Sequence, residues 1–266
     1  MKRKYAVNCS LLFAELPLLE RPSAARDAGF GAVEFWWPWN GVPVPSDAEV
    51  DAFCQAIEDA GVQLIGLNLY AGDMAAGERG ILSDPARGGE FRQSLEVTCL
   101  IAERTGVRMF NALYGQRLDG LTADEQDEAA AENLGYAARR VAEFGGTLLI
   151  EPLTRGLNGA YPLETAADAV TVLRRVGEPN VRFLFDSFHL AGNGEDLVKA
   201  VRAHAADIGH VQIADAPGRG RPGTGGIDFG ALFGVLDETG YAGWTALEYT
   251  PQGPSGQEFA WMETFT

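Results

Sequence analysis

Thr147-Leu-Leu-Ile-Glu151-Pro152 is a short apolar run that ends on a charge and is cut by a proline. An apolar run of this length, bounded in this way, reads as a buried strand, and Pro cannot continue a sheet ladder. The same grammar returns three times downstream. Val181-Arg-Phe-Leu-Phe-Asp186, His210-Val-Gln212-Ile213 and Trp244-Thr-Ala-Leu-Glu248-Tyr249 each carry one acid or amide at the end of an apolar run. Glu151, Asp186, Gln212 and Glu248 lie 35, 26 and 36 residues apart, about one strand-plus-helix unit each.

Working outward, strands are predicted near 5–9, 32–36, 63–67, 107–111, 147–151, 181–186, 208–213 and 244–249. Amphipathic stretches lie between them, among them Asp47–Ala60, Glu90–Thr105, Ala123–Phe144, Ala166–Val176 and Leu197–Ala206. Gly61, Gly106 and Gly240 stand where a helix ends and a left-handed residue is wanted. Strict β–α alternation implies parallel strands. Eight units point to a closed (β/α)₈ TIM barrel, class α/β, and no G-x-G-x-x-G follows the first strand to favour an open dinucleotide-binding sheet. The whole span 1–266 reads as one barrel domain.

Composition narrows the function. The net charge is −16, from 21 basic and 37 acidic residues, which disfavours nucleic acid and anionic membranes as partners. No apolar run approaches the roughly 18 to 20 residues of a membrane span. Met1-Lys-Arg-Lys4 has the look of an export signal's charged start, but Asn8, Cys9 and Ser10 break the run behind it, which reads as strand 1. Cys9, Cys54 and Cys99 have no C-x-x-C spacing and suit buried thiols in a reducing cytoplasm.

Consecutive barrel strands are neighbours, so the four polar strand ends can converge on the C-terminal mouth, where barrel active sites form. Three carboxylates at close range repel unless a cation neutralises them. A divalent metal held by Glu151, Asp186, Gln212 and Glu248 is the expectation; oxygen donors favour Mg²⁺ or Mn²⁺ and leave Co²⁺ and Zn²⁺ open. Any one acid is more simply explained as a helix cap or an Arg partner. Four in succession are not, because burying unpaired charge is expensive.

Other residues are candidates with alternatives. His189, three after Asp186, can be a general acid, a substrate donor or a histidine packed at a helix start. His210 lies deeper and reads as structural; His204 reads as a surface residue. Arg219, with Arg221 as competitor, can hold a substrate carboxylate. Asn8, Glu34, Asn68 and Asn111 end strands 1 to 4 and can add substrate contacts. Phe35-Trp-Trp-Pro-Trp39 either walls the pocket, packs on the exterior or makes a homo-oligomer contact. Long loops after strands 3 and 7 fall on the catalytic side.

These features come with specific runs: Asn8-Cys-Ser-Leu-Leu-Phe13, Gly31-Ala-Val-Glu-Phe35, Ala71-Gly-Asp-Met-Ala-Ala-Gly-Glu-Arg-Gly80, Leu149-Ile-Glu-Pro152, Gly209-His-Val-Gln-Ile-Ala-Asp215 and Pro222-Gly-Thr-Gly225. On these runs the chain resembles the hydroxypyruvate isomerase family, within the xylose isomerase-like TIM barrel superfamily that also holds ketose 3-epimerases and endonuclease IV. The resemblance implies that Glu151 and Glu248 are the acid/base pair and that Asp186 and Gln212 complete the metal site. It favours Arg219 over Arg221. Gln212 stands where related epimerases have His. The expected reaction is isomerisation of a small 2-oxo or hydroxy acid, hydroxypyruvate to tartronate semialdehyde, through an enediolate. A 2-oxotetronate isomerase or ketose 3-epimerase would use the same site. A barrel that kept its metal and lost turnover is the non-enzyme alternative. A phosphodiester hydrolase would need more than three histidines and a basic surface. After strand 5 the family usually reads Glu-Pro-Ile-Asn, whereas this chain has Glu151-Pro-Leu-Thr154-Arg-Gly-Leu-Asn158, which leaves the substrate open.

Overall fold

The structure is a computed structural model and describes residues 3–265, so Met1, Lys2 and Thr266 lie outside the described residues. Eight strands form: β1 (Lys4–Asn8), β2 (Ala32–Phe35), β3 (Gln63–Asn68), β4 (Met109–Asn111), β5 (Thr147–Ile150), β6 (Val181–Asp186), β7 (Ile208–Ile213) and β8 (Trp244–Leu247). They pair in parallel and in chain order, and β8 closes on β1 through Lys4↔Trp244 to Val7↔Leu247. The closed barrel read from the alternation is therefore observed.

The connecting helices are α1 (Arg21–Asp27), α2 (Asp47–Ala60), α3 (Gly88–Thr105), α4 (Ala123–Ala142), α5 (Ala166–Val176), α6 (Ser187–Gly192), α7 (Leu197–His204) and α8 (Phe229–Glu238). Local chemistry explains their starts. Ser46, Thr122 and Thr165 each close a capping box with Glu49, Glu125 and Asp168, satisfying amides the first turn would leave bare. Gly61 and Gly106 end α2 and α3 in the left-handed conformation. The sequence boundaries of α2 and α5 match the structure; α4 and α7 stop two residues earlier than expected, where the helix ends turn. No described helix is long and apolar enough to cross a membrane.

Register sets the mouth of the barrel. Asn8 pairs with Glu34, Asn68 with Asn111, and Asp186 with Gln212. Glu151 and Glu248 stand one residue past β5 and β8, already on the loops. The polar residues that end the strands thus form a ring on one end of the barrel, above an apolar core that includes Val7, Val33, Leu64, Phe110, Leu148, Phe183 and Val211, each fully buried.

Candidate functional site

Asp186 shows how one side chain can serve two purposes. Its Oδ1 caps α6, accepting from the amides of Phe188 at 2.7 Å and His189 at 3.2 Å. Its Oδ2 is buried and has no hydrogen-bond partner. A bare, fully buried carboxylate oxygen is costly unless something cationic faces it. The nearest cation is Arg219, whose Nη2 is 3.9 Å away and 2.6 Å from Glu248 Oε2.

The four expected ligands are linked pair by pair, while the acids and histidines whose ligand atoms cluster among the described residues are Glu151, Asp186 and His189, without Glu248. Gln212 Nε2 lies 3.3 Å from Glu248 Oε1, and Arg219 links Glu248 to Asp186. Glu151, Asp186 and His189 each place one ligand atom within 4.8 Å of the others. Gln212 Oε1 is, like Asp186 Oδ2, buried without a partner. Unpartnered buried oxygens on residues linked to Glu151 and Glu248 are the kind of donor a hard divalent cation takes.

The acidic pair is perturbed by its surroundings. Burial, and then the Asp186 charge, push the Glu151 carboxyl up to about 8, against the pull of Asn111, which donates to Glu151 Oε2 at 2.6 Å. Burial raises Glu248 well above the ordinary carboxylate range, with the Arg219 charge opposing. Asn8 Nδ2 and Trp36 Nε1 also donate to Glu248 Oε1, at 2.8 and 2.7 Å.

His189 is also close enough to ligate a metal, but its hydrogen bonds argue otherwise. The Thr154 amide donates to His189 Nδ1 at 2.9 Å. Burial lowers the imidazole to about 4, so the neutral ring carries its proton on Nε2. Nε2 lies 3.7 Å from Glu151 Oε1. In this tautomer His189 offers a donor rather than a lone pair.

Arg219 faces the cavity with its side chain 21% exposed, against 37% for Arg221, which pairs with Glu258. The loop after β7 is built to present it. Buried Asp215 accepts from the amides of Gly223, Gly225 and Ile227. A side chain at Gly225 would come within 2.4 Å of the Ala216 carbonyl oxygen. Arg219 itself sits at φ +52°, a conformation non-glycine residues rarely hold away from functional sites.

Three features were not resolved from sequence. Glu34 is a hub: its Oε1 accepts from Asn8 at 2.9 Å and Gln212 at 2.6 Å, and its Oε2 pairs with His210 Nε2 at 2.8 Å. Because Glu34 takes the Gln212 amine, the Gln212 oxygen is turned away and left free. His210 is buried below the ring, in keeping with its structural reading. The aromatic run faces the cavity: Trp36 and Trp37 both line it, Trp36 bonding Glu248 and the more buried Trp37 donating to the Val42 carbonyl. Arg79, from the loop after β3, also lines the cavity, as do Asn68 and Asn158. The cavity holds about 390 Å³.

Comparison with known proteins follows the same lines. Residues 22–265 match the family model described as xylose isomerase-like TIM barrel. A putative hydroxypyruvate isomerase from Streptomyces coelicolor is 49% identical over 98% of this chain and 95% of its own length. The hydroxypyruvate isomerase of Escherichia coli is 32% identical, covering 98% of this chain and 99% of its own. A 2-oxo-tetronate isomerase from Cupriavidus necator is also 32% identical, with 98% coverage of each. Among solved structures, one titled AP endonuclease, family 2, from Brucella melitensis superposes with a TM-score of 0.90 at 34% identity, covering 100% of this chain and 99% of that one.

Proposed function

This chain belongs to the hydroxypyruvate isomerase family of the xylose isomerase-like TIM barrels, and on that premise we propose that it is a metal-assisted isomerase of a small 2-oxo acid, hydroxypyruvate in the first instance. Its relatives are isomerases, and the chain is an isomerase of this kind. The observation that carries the finer reading is that Asp186 Oδ2 and Gln212 Oε1 are each buried without a partner, while burial raises both Glu151 and Glu248.

Glu151, Asp186, Gln212 and Glu248 would hold the cation, Mg²⁺ or Mn²⁺ by the hardness of their oxygens. A cation there supplies positive charge opposite the negative charge that grows on the substrate's carbonyl oxygen. The residues do the rest. One glutamate takes a proton from C3 of hydroxypyruvate, leaving an enediolate across C2 and C3. A glutamate then returns a proton to C2, and the proton of the C3 hydroxyl passes to the C2 oxygen, so that C3 becomes the aldehyde and C2 the carbinol carbon of tartronate semialdehyde. A glutamate suits this exchange when its pKa is near the working pH, and burial moves Glu151 in that direction. His189 Nε2 and Arg219 donate to substrate oxygens at this end of the cavity. The Trp36 indole excludes water from the reacting carbons.

A 2-oxotetronate differs from hydroxypyruvate by one more hydroxylated carbon, and a relative carries that activity in its name. The cavity of about 390 Å³ accommodates either. Phosphodiester chemistry has little support, since His189 alone of the three histidines lines the cavity. Three buried free thiols accord with a cytoplasmic setting. The test is direct: incubate the protein with Mg²⁺ or Mn²⁺ and hydroxypyruvate in D₂O and follow the α-carbon by NMR. Conversion with deuterium at C2 supports the reading; no exchange or conversion of any small 2-oxo acid refutes it.

A further inference from the structure

The cavity is lined by three arginines, Arg21, Arg79 and Arg219, and their partners differ. Arg21 is consumed by the chain itself: its three nitrogens donate to the carbonyls of Leu16, Cys9 and Ala14. Arg219 is neutralised by Glu248 and lies near Asp186. Arg79 meets no carboxylate within ion-pair distance among the described residues. Its Nε donates to Asn158 Oδ1 at 2.9 Å, and its Nη1 donates to the carbonyls of Met74 and Glu78 at 3.1 and 2.7 Å. These three acceptors fix the guanidinium and leave Nη2 as a donor with no hydrogen-bond partner among the described residues.

Two loops cooperate to hold it there. Asn158 is nine-tenths buried, and its Nδ2 donates to the Thr154 carbonyl at 3.0 Å. Gln116 Nε2 bridges the carbonyls of Asn158 and Gly77 at 2.9 and 3.2 Å, tying the loop after β5 to the loop after β3. Asn158 and Thr154 belong to the segment that departs from the usual family pattern. That segment therefore supplies both the acceptor that orients Arg79 and, through Thr154, the amide that sets the His189 tautomer.

A positioned, uncompensated guanidinium lining a cavity wants an anion. Burial and the like charge of Arg219 both work against it as it stands. We propose that Arg79, oriented by Asn158, receives the substrate carboxylate and so selects 2-oxo and hydroxy acids over uncharged ketoses. The inference deepens the isomerase reading above and rests on it for the reacting end of the substrate. The carboxylate and the reacting carbons are then handled by separate arginines.

The experiment is calorimetric binding of two unreactive probes, D-glycerate and its neutral amide glyceramide, with Mg²⁺ present. The wild type is compared with Arg79→Met, Arg79→Lys and Asn158→Ala. Loss of a charge-assisted hydrogen bond should weaken glycerate about 10- to 100-fold in Arg79→Met and leave glyceramide unchanged. Arg79→Lys keeps the charge and should recover part of the loss; Asn158→Ala should give a smaller selective loss. Equal weakening of both probes would mean that the variant merely disorders the loop, and would overturn the assignment. So would unaltered glycerate affinity, or a wild type that binds no glycerate. If the wild type isomerises no 2-oxo acid yet loses glycerate selectively with Arg79, the isomerase reading falls and the carboxylate site stands. If it isomerises hydroxypyruvate and Arg79→Met keeps the same KM, the site falls alone.

Discussion

Glu151→Gln should make the metal-free protein more stable while disabling it. Glu151 is buried, and its carboxyl is pushed from an ordinary 4.5 up to about 8 by burial and Asp186. A folded-state pKa raised above the unfolded one means that this group's contribution is most favourable below the unfolded value and is lost as pH rises through the folded one. The metal-free protein should therefore lose stability between about pH 5 and pH 8, by on the order of 3 kcal/mol at pH 7 from this group. Glutamine carries no charge to desolvate, and its amide oxygen can still accept from Asn111 Nδ2. For a chain of this size the gain corresponds to a rise in Tm of roughly 6 to 12 °C at pH 7. The pH slope over that window should flatten with it. Turnover should fall about 10²- to 10⁴-fold, since an amide cannot accept and return a proton. The assay is differential scanning fluorimetry of chelator-treated protein from pH 5 to 8, paired with kcat under saturating Mn²⁺. A variant that melts at or below the wild type at pH 7 refutes the burial argument; a variant with wild-type kcat refutes the proton-transfer role.

Glu248→Gln should also lose about 10²- to 10⁴-fold in kcat; if one of the two glutamine variants exchanges the α-proton in D₂O without making product, its glutamate is the one that returns the proton. Arg219→Met should lower activity on charged and uncharged substrates alike, because it removes the partner of Glu248, and a loss confined to acids would refute that. Glu34→Ala removes one acceptor each from Asn8, Gln212 and His210, of which Asn8 and Gln212 keep a contact to Glu248; each N–H left unpaired costs about 1 to 3 kcal/mol, so urea unfolding should show a loss of several kcal/mol, and the affinity for Mn²⁺ should fall as the Gln212 amide is freed to turn. Metal affinity of the wild type should rise with pH across the window in which Glu151 gives up its proton, with proton release visible in calorimetry run in buffers of different ionisation heat.

Much of the barrel was legible because each unit repeats one signal. An apolar run recurs eight times, joined at several units by a capping Ser or Thr or a left-handed Gly, so an error at one boundary leaves the count intact. The short helices α1 and α6 carried no such signal. The α6 helix spans only Ser187–Gly192 and is begun by the Asp186 side chain, whose one oxygen caps the helix while the other stays free. The site was legible in its residue types, since acids at successive strand ends are hard to explain otherwise.

Partnership is what a linear reading cannot supply. Glu34, Asn8 and Gln212 stand at 34, 8 and 212, and nothing in their spacing says that one carboxylate oxygen takes both amines. The same limit explains Arg219. Alone in a Gly-rich loop it reads as a free cation awaiting a substrate carboxylate. In the fold it lies 2.6 Å from Glu248, a proposed member of the reacting pair. Of the cavity arginines among the described residues, Arg79 is the one with neither a carboxylate partner nor all of its nitrogens bonded within the chain, and the residue that orients it lies 79 positions downstream. That Asn158 falls within the stretch after β5 that departs from the family pattern is the useful coincidence. A divergent loop that still delivers an acceptor to Arg79 and an amide to His189 has changed its sequence while holding two cavity side chains in place. The departure therefore bears on how far the cavity extends beyond the carboxylate, and hence on three-carbon against four-carbon acids, rather than on whether an acid is bound at all. If Asn158→Ala were to change the ratio of KM values for hydroxypyruvate and a 2-oxotetronate without raising both, the loop would be gauging length instead of charge, and Arg79 would need another orienting partner.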